Sequence, residues 1–161
     1  MITAADVPGH PTYGLIEDDQ PVFATDTVNY VGQPIAAVAA DHPETARRAL
    51  AAIAIEYEVL DPLIDAEAAL AAGSVFRHQR IVYGEPEAVE AMPGVVAVEA
   101  NYEIGMQDQA FLGLEAALAV PDSGGGGVEL HVATQWLHED RKQIAACLGL
   151  PEEQVRLVLG G

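Results

Sequence analysis

The chain has 161 residues, half of them hydrophobic, which suffices for one domain with a real core or two small ones and excludes a disordered polypeptide. Seven basic residues against 25 acidic ones leave a formal charge of −18, a sign that disfavours nucleic acid and anionic membranes and is met most simply by a solvated acidic surface. Cys147 is the single cysteine, so neither an internal disulfide nor an iron–sulfur site can be assembled from this sequence.

In chain order, residues 1–21 are rich in Pro, Gly and acid, including Glu17-Asp18-Asp19, and read as loop. A first strand is expected to end near Val31 and a second to span residues 34–40, with Gly32 and Pro34 setting the turn between them. Asp41 followed three residues later by Glu44 has the spacing of a capping box. It predicts a helix over residues 44–54, with Ala46, Ala49, Leu50 and Ile53 on one face. Ile55, Tyr57 and Val59 alternate with Glu56 and Glu58, the pattern of a strand with one wet face, ended by Asp61-Pro62. Residues 28–60 are thus expected to form a strand–helix–strand crossover unit.

Residues 66–72 read as a short helix, residues 73–94 as a linker, and residues 95–104 as strand-like. Residues 116–120 and 128–134 flank Pro121-Asp122-Ser123 and four glycines, predicting a β-hairpin. No helix start and no Lys-Ser/Thr follows those glycines, so they read as a hairpin tip and not as a phosphate cradle. The last thirty residues give a strand ending at Thr134-Gln135, a helix over residues 136–148, and a second strand through Val155-Arg156-Leu157-Val158-Leu159. That strand stops on Gly160-Gly161. Glycines in such a place let backbone turn tightly or approach a ligand closely, and the sequence is expected to continue into a functional loop.

Few residues invite chemistry. Gln135 closes a strand with a neutral amide, which can donate a hydrogen bond without bringing charge to a redox centre. Its plainer alternatives are a helix cap or a solvent-facing side chain. Gly160 and Gly161 offer backbone N–H groups unshielded by side chains, suited to an anionic cofactor or to a simple turn. Trp136 reads as a core anchor in preference to a stacking ring, and Cys147 as a small core residue. His10, His42, His78, His131 and His138 are scattered, with no His-x-x-x-His pair, so no protein-ligated metal is expected. Glu139-Asp140 and Glu152-Glu153 read as helix-start charges. There is neither a positively charged leader with an apolar stretch behind it nor a run of about 18 apolar residues, so a cytoplasmic location is expected.

Thr134-Gln135, Leu148-Gly149-Leu150-Pro151, Val155-Arg156 and Gly160-Gly161, in that order and spacing, resemble the molybdenum-binding subunit of the xanthine dehydrogenase/aldehyde oxidase family of molybdenum hydroxylases. Near the start, Thr3-Ala4-Ala5-Asp6-Val7-Pro8-Gly9, Gly32-Gln33-Pro34 between two strand-like runs, and Glu56-Tyr57-Glu58 resemble the a/b hammerhead domain of the same family. The resemblance covers nearly the whole chain but only a slice of the family's subunit.

The resemblance implies an α+β fold: a partial hammerhead over residues 1–72, then the opening β-rich segment of a molybdopterin-binding domain over residues 73–161. It implies a parent enzyme that hydroxylates purines, related heterocycles or aldehydes with water as oxygen source. Molybdopterin-bound molybdenum would be the reactive centre, with electrons leaving through [2Fe-2S] clusters to FAD in other domains or subunits. In the resembled family the glutamine matching Gln135 bonds an oxygen ligand of the metal, and the glycines matching Gly160 and Gly161 belong to a Gly-Gly-x-Phe-Gly loop beside it. The catalytic glutamate of that family lies beyond residue 161, so no catalytic residue is assigned and the isolated segment is expected to bind no cofactor and be inactive. The expected partners are the rest of the subunit and the iron–sulfur and FAD subunits or domains, with self-association possible through uncovered surface. One stretch departs from the pattern: where many members have His-x-x-x-Glu-Pro, this chain has Gln109-Ala110-Phe111-Leu112-Gly113-Leu114. The alternative reading is a non-catalytic acidic interaction module that retains the fold.

Overall fold

The computed structural model describes residues 1–108, 110, 113 and 116–160. The chain is α+β and forms two compact units: residues 1–54 together with 110–161, and residues 55–109. The first unit is centred on a three-stranded sheet of β5 (Ala117–Pro121), β6 (Val128–Val132) and β7 (Val155–Leu159). β5 and β6 pair antiparallel, as the hairpin pattern predicts, and their tip is closed by Asp122. Its N–H donates to the Gly127 carbonyl (2.9 Å), and its carboxylate accepts from the Gly124 N–H (3.1 Å). Such side-chain-to-backbone bonds are what make Asp a turn residue.

β6 and β7 run parallel, in register from Val128↔Val155 to Val132↔Leu159. Parallel neighbours need a crossover, and helix α4 (Leu137–Leu148) supplies it. The strand–helix–strand crossover of this chain therefore lies at residues 128–159. Ala145 on α4 and Val155 on β7 are the buried hydrophobic residues among those described. On the wet face, Glu129 faces Arg156 across the β6–β7 ladder (3.0 Å) and bonds His131 along its own strand (3.0 Å). α4 ends at Gly149, whose φ of 63° is left-handed, and the Leu150 N–H reaches back to the Ala145 carbonyl (2.9 Å). That six-to-one bond is the Schellman closure which glycine favours.

The N-terminal residues are short pieces and not plain loop. β1 (Ile2–Thr3) pairs antiparallel with β4 (Ala36–Ala37), and β2 (Thr12–Tyr13) with β3 (Gln20–Pro21). Between these pairs, residues 8–10 cross the end of α4. The Gly9 N–H donates to the Cys147 carbonyl (3.0 Å) and the His10 N–H to the Ala146 carbonyl (2.8 Å). Carbonyls in the last turn of a helix have no partner within it, so these bonds satisfy groups that would otherwise need water.

Around α1 (Pro43–Ala51) the expectation holds for the helix and fails for its flanks. The cap is His42, whose Nδ1 accepts from the Glu44 N–H (3.1 Å), and not Asp41. Pro43 explains the shift: proline is favoured at the first helical position, which makes the residue before it the cap. Residues 28–31 and 55–60 are not strands, and β4 is only two residues long. Alternation records which face of a strand would be wet, but a strand exists only when a ladder partner is present, and neither stretch has one among the described residues. The same reason leaves residues 95–104 without strand pairing.

Gly32 adopts φ 97°, and the next side chain, Gln33, is 6% exposed and accepts from the Asn29 N–H (2.6 Å). Replacing Gln33 by Leu keeps the volume and leaves that N–H unpaired, so it is expected to cost about 1–3 kcal/mol by chemical denaturation. A loss below about 0.5 kcal/mol would show that water replaces the amide.

The second unit holds α2 (Ala66–Ala71) and α3 (Pro86–Glu90). α2 is capped by Asp65, which accepts from the Ala68 N–H (2.8 Å). Among the described residues no helix is long and apolar enough to cross a membrane.

Candidate functional site

The parallel β6–β7 pair fixes where its two chain exits meet. Gln135 lies three residues beyond the end of β6, and Gly160 directly follows β7. The Gly160 N–H donates to the Val132 carbonyl (3.0 Å), so both exits leave the same edge of the sheet. In open α/β arrangements the edge at the carboxyl ends of parallel strands is where ligands bind, because helices cover the faces and loops start there.

Gln135 sits exposed on a bend between β6 and α4, and its amide has no hydrogen-bond partner among the described residues. It does not cap α4: the N-cap is Trp136, with no side-chain cap bond. The turn is held instead by Thr134, whose hydroxyl accepts from the Trp136 N–H (3.1 Å) and donates to the Asp140 carboxylate. By sequence alone Asp140 reads only as a charge favoured by the helix dipole; a hydroxyl six residues earlier at a strand end is the signal that could have paired them. Trp136 is 56% exposed and so is not a core anchor; it shares the exposed turn with Gln135.

Gly160 is exposed, and its N–H is spent in the ladder with Val132. A Cβ there would come no closer than 3.8 Å to that carbonyl, so its backbone needs no glycine at this point. Gly161, and the departure at Gln109, Phe111, Leu112 and Leu114, lie outside the described residues.

Among the described residues no three His, Cys, Asp or Glu side chains gather to hold a metal ion. The unpaired amide at the sheet edge offers a hydrogen-bond donor and not a strong ligating atom. Burial, and then the Asp18 carboxylate, push the half-buried Cys147 thiol up, and its Sγ donates toward the Thr12 carbonyl at 3.6 Å. A cavity of about 300 Å³ between α4 and β7 is lined by Leu137, Arg141, Glu152 and Leu157. It contains neither Gln135 nor Gly160, and on its wall Arg141 and Glu152 form an ion pair (2.9 Å).

Comparison with known proteins identifies the family. Residues 1–61 match the a/b hammerhead domain of aldehyde oxidase and xanthine dehydrogenase, and residues 71–160 match the molybdopterin cofactor-binding domain. The chain is 34% identical to a probable xanthine dehydrogenase subunit of Bacillus subtilis (strain 168), over 98% of this chain and 22% of that protein. It is 36% identical to xanthine dehydrogenase/oxidase of Gallus gallus, over 96% of this chain and 11% of that protein. With the nicotinate dehydrogenase large molybdopterin subunit of Eubacterium barkeri the identity is 32%, over 94% of this chain and 37% of that protein. The chain thus spans between about a tenth and somewhat over a third of the length of these relatives, all of them oxidoreductases or their subunits. With both domain matches in succession along it, the chain belongs to the xanthine dehydrogenase/aldehyde oxidase family of molybdenum hydroxylases.

Proposed function

We propose that this chain is part of the molybdenum-binding subunit of an enzyme that hydroxylates a purine, a related heterocycle or an aldehyde with water as the oxygen source. The observation that carries it is the unpartnered amide of Gln135 at the carboxyl edge of the parallel β6–β7 pair. Residues 1–72 are read as part of the hammerhead and residues 73–161 as the opening of the cofactor domain. Gln135 would donate to the molybdopterin-held metal centre, and Gly160-Gly161 would lead the backbone past it. When bound, that group supplies a two-electron oxidation of the substrate carbon. The chain's own contribution is orientation: the turn at Thr134 sets the amide, and the β6–β7 ladder sets the distance between the two exits. Electrons would leave through [2Fe-2S] and FAD carried by other domains or subunits, in the cytoplasm. The direct test is turnover of the full-length enzyme in ¹⁸O-labelled water with purine, nicotinate and aldehyde substrates. Label in the hydroxylated product is expected; oxygen drawn from O₂, or no product from any of the three classes, would overturn the reading.

The surface supports a role for the rest of the subunit as partner. All five residues of edge strand β5 are exposed, as are Phe76, Tyr83 and Tyr102. Uncovered apolar surface and open strand edges favour association. The 161-residue chain alone is therefore expected to elute as a self-associated species and to carry no molybdenum. Stoichiometric metal, or a monodisperse monomer by light scattering, would contradict one or the other half of this expectation.

A further inference from the structure

We propose that Thr134 and Asp140 are positioning residues for Gln135, acting as a bracket that fixes the direction of its amide; the proposal rests on the reading of Gln135 as the donor to the cofactor. The bracket is a closed circuit of hydrogen bonds. The Thr134 hydroxyl accepts from the Trp136 N–H (3.1 Å) and donates to the Asp140 carboxylate, while the Asp140 N–H donates to the Trp136 carbonyl (2.9 Å). Gln135 is the one residue between Thr134 and Trp136, so its backbone is pinned on both sides while its own side chain stays free. Upstream the strand is anchored as well: the Ala133 N–H donates to the Ala116 carbonyl (3.4 Å) and the Val132 carbonyl accepts from Gly160.

The arrangement separates two tasks that a single residue would serve poorly. A glutamine that capped α4 would spend its oxygen on a backbone N–H and turn its amide toward the helix. Here the hydroxyl one residue earlier takes the N–H of the turn, at Trp136, and the half-buried Asp140 accepts from that hydroxyl. A free amide on a held backbone is the condition for a preorganised donor, and a misplacement of about 1 Å can cost up to about 10²-fold in rate.

The test uses the full-length, cofactor-loaded enzyme and the variants Thr134→Val, Thr134→Ser, Asp140→Ala, Asp140→Asn and Gln135→Ala. Thr134→Val keeps the shape and removes both bonds; Thr134→Ser and Asp140→Asn keep a hydroxyl and an acceptor. Thr134→Val and Asp140→Ala are expected to slow enzyme reduction by substrate about 10- to 100-fold at unchanged molybdenum content. Both should also speed hydrogen–deuterium exchange at the Trp136 amide, a readout that does not depend on the cofactor. The Ser and Asn variants should restore most of the rate and the exchange protection. In a Gln135→Ala background, Thr134→Val should slow reduction no further, because the bracket then has nothing to aim. Equal losses in both backgrounds would mean a merely structural role and overturn the proposal. So would a slow Gln135→Ala beside a normal Thr134→Val and Asp140→Ala, with the site reading left standing. Full-rate reduction by Gln135→Ala would overturn the site reading and the bracket with it.

Discussion

Replacing Gln135 by Ala in the full-length enzyme is expected to slow reduction by substrate on the order of 10²–10³-fold, about 3–4 kcal/mol of barrier, while leaving the fold intact. The argument starts from what the side chain does not do. It makes no hydrogen bond among the described residues, does not cap α4, and is exposed on a bend. Removing such a side chain from a fold costs less than about 0.5 kcal/mol. A donor aimed at a centre where charge develops is worth far more, because the protein orients it in advance and no solvent need reorganise. Rate and melting temperature, measured on one variant at full molybdenum loading, therefore move independently. Reduction kinetics equal to those of the parent would remove Gln135 from the metal site.

Much of the frame around that residue was legible in the sequence, for reasons that differ by element. The hairpin could be read because its tip is a run of glycines after Asp122 and its arms are apolar; α4 could be read because Gly149-Leu150-Pro151 closes it and Glu139 and Asp140 open it. The strand expectations that failed share one cause. Residues 55–60 carry strand alternation yet form no strand, because a ladder needs a second chain segment and alternation says nothing of its presence. The capping of α1 by His42 turned on the local preference of Pro43, which a spacing rule for Asp41 and Glu44 ignores. Gln135 was singled out by its resemblance, and the structure adds the freedom of its amide and the bracket that holds its backbone.

The contact of residues 8–10 with α4 left no mark in the pattern at all, since it is made from backbone N–H groups whose side chains are not involved. Its glycine is nevertheless essential. A Cβ on Gly9 would stand 2.1 Å from the Ala146 carbonyl oxygen, 2.4 Å from the Gly149 nitrogen and 2.9 Å from the Cys147 carbonyl oxygen. All three are backbone atoms closing a helix, so no side chain can swing aside; the loop must lift away. Lifting it forfeits the bonds from Gly9 and His10, each worth about 0.5–1.5 kcal/mol, and leaves helix-end carbonyls to find water. Gly9→Ala is therefore expected to lower stability by about 2–4 kcal/mol. Gly124→Ala is the control, since its Cβ would meet nothing nearer than the Asp122 carboxylate at 3.5 Å and should cost about 0.5 kcal/mol or less. Chemical denaturation of the two variants beside the parent reads the difference directly. If Gly9→Ala unfolds with Gly124→Ala, the N-terminal segment does not close α4, and the helix that begins just after Gln135 must be held at its far end by something else.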